Sequence, residues 1–199
     1  MDPRTRPTLL SRVRDLDDHD SWREFDERYR DLILGYGRRR GLQATDAEDV
    51  RQIVMLNLAR GLRSFRYEPG KGRFRDYIGW TTRHAIADLV RSRQLGAPVE
   101  SPSFAADDGD VDRERDLEWE KEWMLHHYRL AMRTVRRTAD AKSVRVFERL
   151  LAGDNVEVVA EEMAMTADAV HKVKQRMRDR LKAAVATQLR DEEEGEISR

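Results

Sequence analysis

Aromatic and basic side chains share one face of a predicted helix in the middle of the chain. Tyr77, Trp80, His84 and Arg91 follow one another at i, i+3, i+7 and i+14, with Arg83 beside them. Unpaired bases stack on aromatic rings, while cations such as Arg bind the phosphates. The pattern therefore favours a surface for unpaired nucleic acid. The alternative left open is that Tyr77 and Trp80 pack under the rest of their own domain.

A basic and aromatic loop is predicted just before this helix. Residues 65–74 contain one Pro and two Gly, which interrupt the helical pattern. The side chains that could hold a base pulled out of a duplex are Tyr67, Lys71, Arg73 and Phe74. Because extruding a base costs a few kcal/mol, we expect this loop and the stacking surface to act together.

A second candidate surface lies on the preceding helix, predicted from its Thr45 cap to about Ser64. Its outward positions carry an acid, an amide, an exposed aliphatic side chain and a base, in order Asp49, Gln52, Leu56 and Arg60, with Ile53 on the flank. Such a mixture is typical of a protein-docking face, and an ordinary mixed surface is the alternative.

A third candidate surface belongs to a helix-turn-helix predicted over residues 156–182. A short helix, a three-residue turn and a basic helix from Ala167 follow one another, and Thr166 is a natural N-cap that we also count among the DNA-binding residues of this unit. Outward residues suited to base edges are Asp168, His171, Lys172, Gln175 and Arg176. Lys174, Arg178 and Lys182 are placed to meet phosphates. The alternative is a basic helix packed as an ordinary bundle member.

The elements that position these surfaces are all predicted to be helices. Capping boxes at Ser21 and Thr45 open two helices, a third runs over 75–93, and helical pattern resumes near Leu117. Gly153 is predicted to end a further short helix. Buried stripes are expected at Val50, Val54, Leu58, Leu62 and Phe65, at Ile78, Thr82, Ala85, Ile86 and Leu89, and at Val170, Val173, Met177 and Leu181. No segment of useful length has the period of a strand, so we predict an all-α fold.

Charge is balanced overall but strongly segregated along the 199 residues. The chain has 38 Lys and Arg and 38 Asp and Glu. Ten bases face three acids in residues 51–93, whereas nine acids face three bases in 107–122. Two basic blocks around an acidic one predict two polyanion-binding modules joined by a spacer. We therefore divide the chain into a domain at 1–93, a flexible linker at 94–116, a domain at 117–190 and an acidic tail at 191–199.

Several classes of protein are not expected. There is no cysteine, which excludes disulfides and thiolate chemistry, and no apolar run approaches 18 residues, so neither a membrane span nor a secretory signal is predicted. His126 and His127 are adjacent rather than at metal-ligand spacing, and no Walker A or G-x-S-x-G motif is present. We expect a cytoplasmic, non-enzymatic protein without a cofactor.

In combination, these segments resemble the extracytoplasmic-function (ECF) class of RNA polymerase sigma factors. Residues 46–52, 65–75 and 82–89, in that order, are similar to region 2 of that family. The helix-turn-helix at 156–182 is similar to its region 4. The resemblance implies two small helical domains, core RNA polymerase and promoter DNA as partners, and an anti-sigma factor as a further partner that nothing in the sequence identifies.

The resemblance also implies roles for single residues. Asp46, Glu48, Asp49 and Gln52 would bind the polymerase clamp, and we place Ile53 and Leu56 on the same surface. Residues 67–75 and the helix bearing Trp80 would recognise and open the −10 element. The helix from Ala167 would read the −35 element, with region 4 touching the polymerase flap. Two alternatives stay open: a polymerase-independent helix-turn-helix regulator, and an adaptor that has lost its DNA contacts.

Overall fold

The computed structural model describes residues 9–62, 74–95 and 117–197. Over these residues every regular element is a helix, and no strand is present among them. The all-α prediction is confirmed. The helices in chain order are α1 Leu9–Arg12, α2 His19–Arg39, α3 Ala44–Gly61, α4 Phe74–Leu95, α5 Leu117–Thr138, α6 Ala141–Leu151, α7 Val156–Glu162 and α8 Ala167–Ile197. Within the described part, no helix is both long and apolar enough to cross a membrane.

The first of two compact units contains Met1–Met124 and Asp191–Arg199. In it α3 packs against both α2 and α4. The predicted stripes of α3 and α4 lie inside its core, and every described member is buried. Phe65 lies outside the described residues. Burial of these regularly spaced side chains holds the three helices together, because removing apolar surface from water is the main favourable term in folding.

The second unit contains Leu125–Arg190. Its core joins residues of four helices, α5 to α8, namely Met132, Val135, Val146, Phe147, Val159, Ala160, Val170, Val173 and Met177. Gly153 follows α6 with a φ of 100°, which confirms the predicted helix end. Ala164, in the turn between α7 and α8, has a φ of 49°.

The helix starts were predicted less well than the stripes. Asp18 caps α2 by accepting a hydrogen bond from the Ser21 amide at 2.9 Å, so the predicted Ser21 capping box is wrong. Ser21 lies buried within the first turn of α2. Gln43 occupies the N-cap of α3 without a side-chain cap bond, so the Thr45 capping box is wrong as well. Thr166 does cap α8, since its hydroxyl accepts from the Ala169 amide at 3.2 Å.

Helix α5 belongs to both units. Trp119 and Trp123, in its first two turns, are buried in the core of the first unit, whereas Met132 and Val135 belong to the second. Glu192, near the end of α8, is also part of the first unit. The boundary between the two compact units thus falls within α5, after Met124, whereas the sequence-based division begins a domain at residue 117. The assignment of functions to the sequence-based domains stays a prediction.

Candidate nucleic-acid and polymerase surfaces

The Trp80 and His84 rings form a stacked pair on α4. Their centroids are 4.0 Å apart with an interplanar angle of 37°, and His84 Nδ1 lies 3.0 Å from the Trp80 carbonyl oxygen. Both side chains are half-buried. This geometry orients the Trp80 ring and leaves part of both side chains in solvent, and bases stack on accessible aromatic rings of this kind.

Cations flank this pair along α4. Arg83 is half-buried next to His84, and Arg91 is exposed two turns further along the helix. The Arg91 guanidinium donates to Asp88 at 3.0 Å, so a bound phosphate would have to compete with that carboxylate. Four of the predicted residues of this helix, Trp80, Arg83, His84 and Arg91, therefore lie at least partly in solvent.

Two other predicted residues of α4 lie in the core. Phe74 is 1% exposed, because its ring packs edge-on against Phe25 and Tyr29 at centroid distances of 5.9 and 5.5 Å. Tyr77 is 8% exposed, and its hydroxyl occupies the space that a side chain at Gly61 of α3 would fill. The prediction of an outward Tyr77 is wrong, and the alternative of packing within the domain holds for it. Phe74 likewise lines the core rather than a DNA surface.

Burial changes the chemistry of the Tyr77 phenol. Desolvation raises the pKa of Tyr77 to about 12, because the charged phenolate is disfavoured away from water. Tyr77 thus stays neutral at every physiological pH and joins α4 to α3. Of the predicted loop, Tyr67, Lys71 and Arg73 lie outside the described residues.

The predicted docking face on α3 is present. Asp49 and Gln52 are exposed, and Leu56 is 57% exposed, an unusual fraction for a leucine in a packed unit. They share one side of α3, since residues three and four apart are neighbours on a helix. Ile53 is half-buried against the core of the first unit and borders this face. An acid, an amide and an aliphatic side chain together suit a protein partner.

Asp46 and Glu48, which the resemblance also assigns to polymerase binding, are positioned differently from the exposed residues of this face. Asp46 is 6% exposed, and Arg93 at the end of α4 donates to both of its carboxylate oxygens, one of them at 2.5 Å. This hydrogen bonding holds the pKa of Asp46 below its ordinary value. Asp46 therefore joins α3 to α4, and its predicted exposure to a clamp is wrong in this structure, because its carboxylate is already bound within the unit.

Glu48 belongs to an ion-pair network between α3 and α2. Arg51 Nε donates to Glu48 at 2.7 Å, and Arg30 contacts the other carboxylate oxygen. Arg51 also contacts Asp26. The hydrogen bond from Arg51 is the largest of the causes that lower the pKa of Glu48. The sequence did not identify Arg93 as the partner of Asp46 or Asp26 as a partner of Arg51, because these residues are 47 and 25 positions apart in the chain.

On α8, the predicted base-reading residues are all exposed. Asp168, His171, Lys172, Gln175 and Arg176 are in solvent, as is Arg178, while Lys174 is half-buried. Val170, Val173 and Met177 alternate with them and face the core of the second unit. The amphipathic pattern of this helix is therefore confirmed.

Several of these side chains are engaged within the second unit. Lys172 forms an ion pair with Asp168 at 2.8 Å, and Gln175 donates to Asp179 at 3.0 Å. Arg176 donates to the hydroxyl of Ser143 in α6 at 2.7 Å. The Lys172–Asp168 pair is fully on the surface, and such exposed ion pairs contribute little to stability.

A groove in the second unit was not found from the sequence. It has a volume of about 620 Å³ between α5 and α6. Its lining residues combine an apolar floor with a basic edge and are Tyr128, Arg129, Met132, Arg133, Arg136, Glu148, Leu151 and Ala152. The signal available was the spacing of Arg129, Arg133 and Arg136 on one side of α5. Among the described residues, no group of three or more His, Asp or Glu is arranged to hold a metal ion.

Comparison with known proteins assigns the central part of the first unit. Residues 25–95 match the family Sigma-70 region 2, a segment that covers most of α2 and all of α3 and α4. No curated protein matches the chain significantly. The matched segment contains both the Trp80–His84 pair and the Asp49–Gln52–Leu56 face. The chain therefore carries a sigma-70 region 2 domain over residues 25–95, which indicates a factor of the sigma-70 family.

Proposed function

We propose that this protein is a sigma factor of the ECF class, which directs core RNA polymerase to specific promoters in the cytoplasm. It would bind polymerase and DNA and would catalyse no reaction itself. The single observation that carries the proposal is the match of residues 25–95 to sigma-70 region 2, the domain with which a sigma factor takes part in transcription initiation.

The proposed polymerase contact is the exposed face of α3. Leu56 exposes an apolar side chain beside Asp49 and Gln52, and a desolvated aliphatic side chain ringed by polar ones is typical of the centre of a protein interface. The exposed faces of α3 and α4 differ in chemistry, with an acid and an aliphatic on one and aromatic and basic groups on the other. This difference supports separate partners for the two helices.

The proposed −10 contact is the Trp80–His84 pair, with Arg83 and Arg91 nearby for the phosphates. An unstacked base gains about 1–3 kcal/mol by stacking on an aromatic ring, which offsets part of the cost of opening the duplex. The chain has no motor motif, so we infer that it traps an opened strand and that contacts with polymerase provide the remaining free energy.

The proposed −35 contact is the exposed side of α8. A recognition helix reads the major groove with residues near its N-terminus, and Lys172, Gln175 and Arg176 occupy the first three turns. The resemblance to region 4 supports this assignment, and the capped turn between α7 and α8 is consistent with it.

The test is co-elution of the purified chain with bacterial core RNA polymerase, followed by promoter-dependent run-off transcription. Co-elution with new transcripts is the expected result. Leu56→Ala should reduce co-elution, whereas the matched variant Leu151→Ala, an equally exposed leucine in the second unit, is the control for lost surface leucine. If a folded chain free of inhibitor neither binds core polymerase nor supports transcription, the sigma assignment fails. Tight polymerase-free binding to duplex DNA would then favour the helix-turn-helix regulator.

A further inference from the structure

The first two turns of α5 dock onto α2 and α4 within the first unit. Trp119 is 3% exposed, and its ring lies over Gly79 of α4, where an added Cβ would be 2.7 Å from the indole atoms. The same ring meets Tyr36 of α2 edge-on at 5.2 Å and 88°. Only glycine at position 79 permits this approach, so the contact depends on α4 itself.

Acidic residues surround this aromatic contact, and each one meets an arginine. Glu118 lies 3.7 Å from Arg40, and Glu122, 1% exposed, accepts from Arg39 at 2.5 Å. A second glycine, Gly35 of α2, leaves room for the Glu122 carboxylate. Both of these acids therefore anchor α5 to the end of α2.

The third acid binds a cation in the first turn of α4, at the end of the segment 67–75 that the resemblance assigns to −10 recognition. Glu120 forms an ion pair with Arg75, and the Arg75 guanidinium also lies 5.9 Å from the centroid of Trp123. Arg75, Gly79 and Arg83 follow one another at i, i+4 and i+8, so they form a line along α4. Gly79 and Arg83 each directly precede one member of the Trp80–His84 pair in the sequence. Glu120 and Trp119 thus cover the Arg75 and Gly79 positions of α4.

We propose that the acidic first two turns of α5 compete with promoter DNA for Arg75 and the adjoining edge of α4. A carboxylate and a phosphate use the same guanidinium donors, so Arg75 cannot be fully bound by both. Binding of an unpaired strand would then require Glu120 to release Arg75. The inference rests on the proposed role of α4 in −10 recognition, and it assigns a regulatory role to Glu120.

The test compares two variants that make the same change on the same helix. Glu120→Gln removes the partner of Arg75 in α4, and Glu118→Gln removes the partner of Arg40, the C-cap residue of α2. Both variants lose one negative charge, so long-range electrostatic effects are matched. The full-length chain is titrated at several salt concentrations against a labelled single-stranded oligonucleotide of random sequence, with binding followed by fluorescence anisotropy.

Glu120→Gln should bind the strand about threefold more tightly than Glu118→Gln at low salt, a size within the range measured for ion pairs near a protein surface. Its affinity should also fall more steeply with salt, by about 0.7 in the log–log slope, because one more cation becomes available to phosphate. A second variant, Gly79→Ala, pushes Trp119 away without altering charge, and it should also tighten binding. Its thermal unfolding, compared with the wild type, shows whether the unit remains folded.

The outcomes separate this inference from the function on which it rests. If Trp80→Ala weakens binding while Glu120→Gln and Glu118→Gln bind alike, competition by α5 is refuted and the DNA role of α4 stands. If Trp80→Ala has no effect on strand binding in any background, the proposed DNA role of α4 fails, and the competition fails with it.

Discussion

Asp46 and Asp49, three residues apart on α3, have carboxylates with opposite surroundings. Asp46 is buried and bound by Arg93, while Asp49 is exposed on the proposed docking face. Both are aspartates in one predicted motif, so the sequence assigned them the same role. The structure gives Asp46 a positioning role between α3 and α4, and leaves Asp49 available to a partner.

Replacing each of these two aspartates by asparagine compares the two roles directly. Asp46→Asn should lower the free energy of unfolding of the first unit, because Arg93 loses its charged partner, and Asp49→Asn should instead weaken co-elution with polymerase. All four tryptophans lie in the first unit, so urea unfolding followed by tryptophan fluorescence measures that unit alone. Equal stability of the two variants would contradict the role given to Asp46.

The stability effect of Asp46 should depend on pH. Its pKa is lowered on folding, so the stabilisation is present above the ordinary value of 3.8 and is lost as the pH falls through the folded value. The difference between the wild type and Asp46→Asn should therefore be full at neutral pH and shrink at acid pH. A difference that is unchanged down to acid pH would mean that the charge of Asp46 does not contribute.

The contribution of Tyr77 to stability should depend on pH in the opposite direction. Its pKa is raised by burial to about 12, so its neutral form is preferred in the folded state and stability is lost as the pH rises above the ordinary value of 10. Tyr77→Phe should reduce this alkaline loss, measured by tryptophan fluorescence between pH 9 and about 12. Tyr128→Phe, in the second unit, is the control and should leave the profile of the first unit unchanged.

At the scale of the helix, α4 has a buried side that holds the unit together and a partly exposed side for the proposed strand contact. The buried side contains Ile78, Ala85 and Leu89, and the partly exposed side contains Trp80 and His84. The periodicity of apolar residues predicted the first side correctly, because burial against one neighbour follows the helical repeat. It failed for Tyr77, whose burial depends on the close approach of α3 at Gly61, and a single helix pattern does not contain that contact.

The predictions of two helix starts failed for a related reason. Asp18 and Ser21 are both good N-cap residues, and each is followed by an acid close to the expected position. Choosing between them requires knowing which residue leaves the helical conformation, and Ser21 is fixed inside α2 by its burial in the core. The N-cap role of Thr166 was predicted correctly, because Thr166 is the one residue of the turn before α8 whose side chain is suited to capping a helix.

Trp80→Ala is expected to impair promoter opening by at least about fivefold, since about 1 kcal/mol is the lower end of the stacking energy of one base. Co-elution with core polymerase should stay near normal, because Trp80 lies on α4 rather than on the docking face of α3. Permanganate reactivity of −10 thymines measures opening. Loss of co-elution, or of folding, would identify Trp80 as a structural residue instead.

Gln175→Ala, on the exposed side of α8, should alter preference among −35 sequences. Arg178→Ala is the matched variant on the same helix, and as a proposed phosphate contact it should weaken binding about equally for all sequences. Transcription from a library of −35 variants distinguishes the two. If Gln175→Ala leaves promoter choice unchanged, Gln175 is removed from the base-reading set.

At the scale of the whole molecule, the sequence predicted blocks of charge but not where each block packs. The acidic residues of 118–122 were assigned to a spacer and a second domain, yet they bind arginines of α2 and α4 in the first unit. Glu192 of the acidic tail accepts from the buried hydroxyl of Tyr29 at 2.8 Å in that same unit. These contacts join residues far apart in the chain, and no local pattern encodes them.

The balanced charge leads to a prediction about the whole chain. Because 38 acids offset 38 bases, and acids of α5 already bind arginines, the free chain should associate weakly with duplex promoter DNA, in the range of roughly 10⁻⁴ to 10⁻⁶ M that is typical of non-specific binding. Core polymerase should tighten binding at least about a thousandfold, the lower end of the usual specificity ratio. Filter binding at fixed salt, with and without core polymerase, measures both values. A chain that binds the duplex equally well without polymerase would contradict the dependence on a partner, and would direct attention to α8 as an independent DNA reader.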